Sequence, residues 1–188
     1  MRLQFPSWIR EQVDWDRDVV YLLDAELRFV ECNPAWNTFA AENGGIRISA
    51  DEVKGRCVLD YVPDVLRAFY VHRYWLAQRS SQWAGFDYHC SSPEKIRLFQ
   101  MKLCEAEGGV LVMNHLLLEE ACAPVDPLDD AGVRQYVTPH GSLVLCANCR
   151  KAKRRDSGEW DWVPAFLCEH GFTVSHGLCP RCTTHLYG

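Results

Sequence analysis

Two cysteine pairs near the end of the chain limit most strongly what this sequence can fold into. Cys146 and Cys149 are separated by two residues, and Cys179 and Cys182 repeat that spacing after an interval of 29 residues. A tight turn with this spacing directs both sulfurs at one ion, and two such turns complete a tetrahedron. The four cysteines therefore predict a metal site. An all-thiolate ligand set favours structural zinc, with iron as the alternative.

The segment that holds these cysteines, residues 141–188, is short for a unit stabilised by hydrophobic burial alone. Metal binding would contribute folding free energy on the order of 10 kcal/mol to it. The alternative is two separate redox pairs or buried thiols. His176, three residues before Cys179, is a further candidate ligand or a donor to a thiolate. His170 and His185 are weaker candidates, and a surface or packing role is favoured for all three histidines.

Composition describes a globular protein in a reducing compartment. The 188 residues suffice for one full core and a small appendage. The longest apolar runs are too short to span a bilayer, and the first residues lack the apolar stretch of a secretory signal, so we expect a cytoplasmic protein. Disulfides are rare there. We therefore interpret the cysteines without ligand spacing as core residues or free thiols, namely Cys32, Cys57, Cys90, Cys104, Cys122 and Cys168.

The first 120 residues alternate between strand and helix patterns. Residues 19–23 and 27–32, joined by a turn at 24–26, predict a β-hairpin. Asn33 then predicts a helix cap with Pro34 at the first helical position, and Gly44-Gly45 predicts the end of that helix. A second helix is predicted at 64–78. Three strands are expected to follow, over Gly85–Cys90, Ile96–Cys104 and Val110–His115.

This order and two local motifs resemble the PAS sensory domain, in particular the bacterial subgroup found in front of histidine kinases and diguanylate cyclases. The motifs are residues 30–45 (VECNPAWNTFAAENGG) and 86–93 (FDYHCSSP), while Leu98-Phe99 stands where the subgroup usually has Trp-Phe. The resemblance implies an α+β fold, with a five-stranded antiparallel sheet and flanking helices that enclose a small-molecule pocket. The cysteine-rich tail is similar to a zinc-ribbon-like module at the end of some bacterial receiver and PAS proteins.

The resemblance and the composition together divide the chain into four parts. Residues 1–13 form an N-terminal flanking segment, 14–118 the PAS-like domain, 119–140 a linker, and 141–188 the metal-stapled module. The linker is predicted to lack regular elements because it contains Gly132, three prolines and an acidic cluster. These residues are Pro124, Pro127, Pro139, Asp126, Asp129 and Asp130.

A histidine on the second helix suggests a cofactor. His72 lies with Val65, Phe69 and Leu76 on one predicted apolar stripe. Some PAS domains bind haem through a histidine of the long helix before the last three strands, so the resemblance implies His72 as a haem axial ligand. A core histidine bonded to a carbonyl would also explain it. His89 and His115 are candidates for polar groups near the haem, and a surface position remains open for both.

We interpret the chain as a cytoplasmic sensor or adaptor in preference to an enzyme. The PAS-like pocket would bind haem, a gas or another small ligand, and the zinc tail would dock a separate output protein. PAS modules commonly pair as homodimers through the N-terminal flank, where Trp8, Ile9, Val13 and Trp15 could supply the contact. No membrane partner is expected.

Two alternative functions remain open at this stage. One is a PAS-haem enzyme with lyase-type or redox chemistry, because a fold alone does not decide function. The other is a nucleic-acid-binding regulator that uses the basic run 150–155. Acidic residues follow this run immediately and the net charge is -5, so a solvated loop is favoured and a nucleic-acid partner is not expected.

Overall fold

The computed structural model describes residues 4–45, 47–123, 128–168 and 171–188. Chain contacts divide it into two compact units, each described below by itself. The α-helices are α1 Ser7–Trp15, α2 Pro34–Glu42, α3 Ala50–Val53, α4 Asp64–Ala77, α5 Asp130–Tyr136 and α6 Pro180–Tyr187. The strands are β1 Val19–Leu23, β2 Phe29–Cys32, β3 Ala84–His89, β4 Lys95–Ala106, β5 Gly109–Ala121, β6 Ser142–Cys146, β7 Ala152–Lys153, β8 Trp160–Asp161 and β9 Thr173–Gly177. Short 3₁₀ helices occupy Val58–Tyr61 and Pro164–Leu167.

The first five strands form one sheet in the order β2-β1-β5-β4-β3. β1 pairs antiparallel with β2, with Tyr21 opposite Cys32, and antiparallel with β5, with Tyr21 opposite Val112. The hairpin turns at Asp24, whose side chain accepts the backbone N–H groups of Glu26 and Arg28. The α+β class and the five-stranded antiparallel sheet with flanking helices are therefore confirmed.

Asn33 joins three elements of the first unit through one buried carboxamide. Its Oδ1 accepts the backbone N–H of Val20 at 3.0 Å and that of Trp36 at 3.3 Å. Its Nδ2 donates to the carbonyls of Val13 and Asp18. The side chain is 1% exposed, so water replaces none of these bonds. The predicted cap of α2 is confirmed, and the same residue also fixes the end of α1 and the start of β1.

Replacing Asn33 by alanine should lower the free energy of unfolding by about 2–4 kcal/mol, because a helix cap is lost and buried polar groups are left unpaired. Urea unfolding followed by circular dichroism measures the change. Asn43→Ala is the matched control, since the Asn43 side chain is exposed and, among the described contacts, donates only to the carbonyl of Phe39. Equal effects of the two substitutions would contradict the role of Asn33.

Different side chains pack on the two faces of the five-stranded sheet. On one face, α1 packs Ile9 and Val13 into a cluster that includes Val20, Leu22 and Leu111. Aromatic side chains cover the other face, where the ring centroid of Tyr21 lies 5.2 Å from that of Phe29 and 5.4 Å from that of Trp36. The Ile9 and Val13 predicted for a dimer contact are thus buried within their own chain. Trp8 and Trp15 are exposed, at 63% and 88%.

The predicted apolar stripe of α4 is wrong. Val65 and Leu76 are 38% and 39% exposed, and His72 is exposed as well. The buried side of the helix instead contains Leu66, Phe69, Tyr74 and Ala77. This helix has apolar residues on several sides, so its spacing permits more than one orientation. Packing of the large Tyr74 ring selects the observed one.

The second unit contains residues 63–66, 88–98 and the described residues from 117 onward. Its sheet has the order β8-β7-β6-β9, with β6 and β9 parallel and Leu145 opposite His176. Leu143, Leu145 and Phe166 are among the buried residues of its core.

Two expectations for this part of the chain need correction. α5 lies inside the predicted linker, because the Asp129 carboxylate caps it by accepting the N–H of Gly132 at 2.7 Å. The spacing of apolar residues from Val163 onward predicts a helix around 163–170, whereas the structure has a single 3₁₀ turn at Pro164–Leu167. Pro124, Asp126, Pro127 and His170 lie outside the described residues. The domain boundaries themselves stay a prediction.

Candidate metal centre

The four cysteines of the two C-x-x-C pairs meet in one cluster. The Sγ atoms of Cys146, Cys149, Cys179 and Cys182 all lie within 4.8 Å of one another. Cys149 is partly buried and the other three are buried. Among the histidine, cysteine and acidic side chains of the described residues, these four cysteines form a group whose ligand atoms lie close enough to share one metal ion.

Local structure positions each sulfur. Cys146 ends β6, and the chain then turns through Cys149 to Arg150, which adopts a left-handed conformation with φ of 63°. The turn closes when the Arg150 N–H donates to the Cys146 carbonyl at 3.0 Å. Cys179 is the N-cap of α6 and Cys182 lies in its first turn. The parallel pairing of β6 with β9 brings the two C-x-x-C segments together.

Hydrogen-bond donors surround the sulfur atoms. The backbone N–H of Cys179 donates to Cys146 Sγ, and that of Cys182 donates to Cys179 Sγ, both at 3.5 Å. The Nδ2 of Asn148 donates to Cys182 Sγ at 3.4 Å. Such donors, together with the N-terminal end of α6, stabilise sulfur as thiolate. Hydrogen bonds from the Cys149 and Cys182 thiols lower the pKa of Cys146, whereas the bond to Cys146 raises the pKa of Cys149.

The cluster fits a tetrahedral metal ion. With Zn–S bonds of about 2.3 Å, a regular tetrahedron has sulfur–sulfur edges of about 3.8 Å. The Sγ atoms of Cys149 and Cys179 are 3.7 Å apart. Four thiolates fill such a coordination shell and leave no open position, which is typical of a structural site and not of a catalytic one.

The histidines near the tail are not part of this cluster. His176 is exposed on β9, and His185 lies on α6 outside the group of four ligand atoms. His89 belongs to the second unit and is half-buried; burial is the main cause that lowers its pKa. The hydrogen bond to the Arg97 backbone raises the pKa of His89, and electrostatic interactions with His185 and Arg181 lower it.

The histidines proposed for haem do not form a buried site. His72 is exposed, and its ring stacks on Trp75 with a centroid distance of 6.2 Å and an interplanar angle of 15°. His115 is also exposed, and its Nδ1 pairs with the Asp18 carboxylate at 2.9 Å. An axial ligand must project from an apolar wall, and neither side chain does so. His72 and His115 therefore do not fit a haem axial ligand, and we derive no step through a haem; His89 as a haem-pocket group stays a prediction.

Asn148 is the site residue that sequence reasoning missed. It stands inside the first C-x-x-C pair, is 4% exposed, and contacts a candidate ligand directly. The signal in the sequence that could have identified Asn148 is a polar residue between two cysteines of a tight turn. Its contacts depend on residues 59 and 34 positions away, so the local pattern alone does not reveal them.

Among known proteins, no family model and no curated protein matches the chain. Solved structures similar to it include the PAS domain of an HTR-like protein from Haloarcula marismortui, at 19% identity and a TM-score of 0.41, covering 59% of this chain and 90% of that one. The PAS domain of BvgS from Bordetella pertussis matches at 17% identity and a TM-score of 0.38, covering 58% and 80%. The chain combines an α+β fold, in which helices flank a five-stranded antiparallel sheet, with a four-cysteine cluster.

A domain of a sensory box sensor histidine kinase/response regulator from Geobacter sulfurreducens is also similar. It matches at 12% identity and a TM-score of 0.43, covering 57% of this chain and 90% of that one. None of the described helices is both long enough and apolar enough to cross a membrane.

Proposed function

We propose that this chain is a sensor or adaptor that binds a small ligand in its PAS-like domain and holds a structural zinc ion in its C-terminal module. The observation that carries the proposal is the gathering of four cysteine sulfurs within 4.8 Å at the junction of β6, the following turn and α6. Zinc is the ion that four buried thiolates without an open position favour, with iron as the alternative.

The ligand would bind on the aromatic face of the five-stranded sheet. There the Tyr21 hydroxyl forms hydrogen bonds with Tyr74 and Asn114, and burial raises the pKa of Tyr21 to about 12. The hydroxyl therefore stays protonated at neutral pH and can donate a hydrogen bond. Rings of Phe29, Trp36 and Phe39 on the same side supply surfaces for stacking.

The zinc module would dock a separate output protein, and the chain would act as a homodimer in the cytoplasm. Trp8 and Trp15 support the dimer because they remain exposed on α1.

The basic run 150–155 makes contacts within its own chain, which weakens the nucleic-acid alternative. Arg154 pairs with Asp161, and Arg155 donates to the carbonyls of Arg134 and Val137.

Thiol reactivity tests the zinc site of the untreated protein. Four of the ten cysteines, namely Cys146, Cys149, Cys179 and Cys182, should resist a water-soluble thiol reagent in native buffer. Addition of a strong chelator should make these four reactive and release one zinc ion per chain. Cys168 is exposed and should react first in both conditions. Release of no metal, with unchanged thiol reactivity, would contradict the zinc site.

Native mass spectrometry of the protein as purified tests the ligand. We expect a mass greater than that of the chain plus zinc, and the excess should disappear on denaturation. A Tyr21→Phe variant should retain a smaller fraction of the bound ligand. If the protein shows no excess, and none after incubation with a small-molecule extract of the producing cells, ligand binding is contradicted. An absorption spectrum after growth with haem precursor should show no Soret band.

A further inference from the structure

The buried carboxamide of Asn148 makes two hydrogen bonds in opposite directions. Its Nδ2 donates to Cys182 Sγ at 3.4 Å, and its Oδ1 accepts the backbone N–H of His89 at 3.1 Å. His89 is the last residue of β3, and its end of that strand belongs to the same compact unit as the cysteines. One side chain therefore contacts both a candidate metal ligand and a strand of the five-stranded sheet.

Among the described contacts, the acceptor of the His89 N–H is Asn148 and not a residue of the sheet. β3 is an edge strand, with β4 as its one neighbour in the order of the sheet. The N–H of the next residue, Cys90, donates toward β4 to the carbonyl of Arg97. Successive N–H groups of a strand point to opposite sides, so the His89 N–H points away from β4, toward the open edge. Asn148 supplies the acceptor at that position.

The two bonds depend on each other because the carboxamide is planar and its oxygen and nitrogen are fixed relative to one another. A metal-bound cysteine sulfur is a thiolate, which accepts a stronger hydrogen bond than a thiol. That bond selects the orientation in which Nδ2 faces the sulfur, and Oδ1 then faces His89.

We propose that Asn148 is a positioning residue that links the metal centre to the end of β3, because its Nδ2 orients the Cys182 sulfur and its Oδ1 holds the His89 N–H. The inference rests on the metal site proposed above. In the metal-loaded protein this second bond closes the open edge of β3 at His89.

Residue-resolved amide hydrogen exchange on the full-length protein, with zinc alone as the probe, tests the link. In the loaded wild type the His89 amide should exchange at least about tenfold more slowly than in loaded Asn148→Ala, a difference of 1.4 kcal/mol in local opening. Zinc affinity, measured by competition with a chromophoric chelator, should fall about tenfold in the same variant. Exchange at Leu143 of β6 should not change, and Asn43→Ala should leave both quantities unchanged.

A second variant separates the two bonds. Asn148→Asp keeps an oxygen for His89 but loses the donor to Cys182 and places a negative charge beside the thiolates. His89 should stay protected while zinc affinity falls. This variant also decides the matter if Asn148→Ala does not fold.

The outcomes distinguish the link from the metal site. If the wild type binds one zinc and His89 exchanges equally fast in wild type and both variants, the link is wrong and the site stands. If the wild type binds no zinc, both are wrong.

Discussion

Replacing Cys179 by serine should unfold the cysteine-containing unit in the full-length protein while β1 of the five-stranded sheet keeps its protection from hydrogen exchange. Four thiolates binding zinc contribute folding free energy on the order of 10 kcal/mol, comparable to the whole stability of a small domain. Hydrogen exchange read by mass spectrometry should show nearly complete exchange in peptides that cover β6 and β9. Circular dichroism should lose the signal of α6.

The control for this experiment is Cys168→Ser. Cys168 is an exposed thiol of the same unit, and its Sγ is not among the gathered ligand atoms. We expect exchange identical to the wild type within error. Retention of native protection in Cys179→Ser would show that the cluster does not staple this unit.

The second large effect is expected at Tyr74. Its side chain is 1% exposed, and its hydroxyl bonds Tyr21. Tyr74→Ala should therefore lower the free energy of unfolding by about 3–5 kcal/mol, as for other buried aromatic residues. Tyr74→Phe removes the hydroxyl alone and should cost about 1–2 kcal/mol. Denaturant unfolding monitored by tryptophan fluorescence measures both values.

Two neighbours on α4 are the controls for Tyr74. His72 and Trp75 are exposed, so His72→Ala and Trp75→Ala should each change stability by less than about 1 kcal/mol. A large effect at His72 combined with a small one at Tyr74 would mean that α4 is rotated as its predicted stripe implied, and would restore His72 as an interior residue.

Features set by short-range chemistry could be predicted from the sequence. The 19–32 hairpin depends on alternating residues around one turn, and the cap at Asn33 depends on three consecutive residue types. The cysteine cluster follows in the same way, because C-x-x-C spacing determines where each pair of sulfurs points.

Features decided by distant contacts could not be predicted. The rotation of α4 is set by Tyr74 packing on the sheet, and periodicity alone did not separate it from the stripe through His72. α5 was not predicted because the prolines and acidic residues around it are typical of a linker, and the helix-capping role of Asp129 was not recognised in that context. The role of Asn148 was hidden because both of its partners are remote in sequence.

The central claim is that the four gathered cysteines bind one metal ion through sulfur alone. X-ray absorption spectroscopy at the zinc edge, with metal analysis of the protein as purified, tests it most directly. We expect one zinc per chain and a shell of four sulfurs at about 2.3 Å. A shell that contains nitrogen or oxygen in place of a sulfur, or a protein that folds without metal, would contradict it.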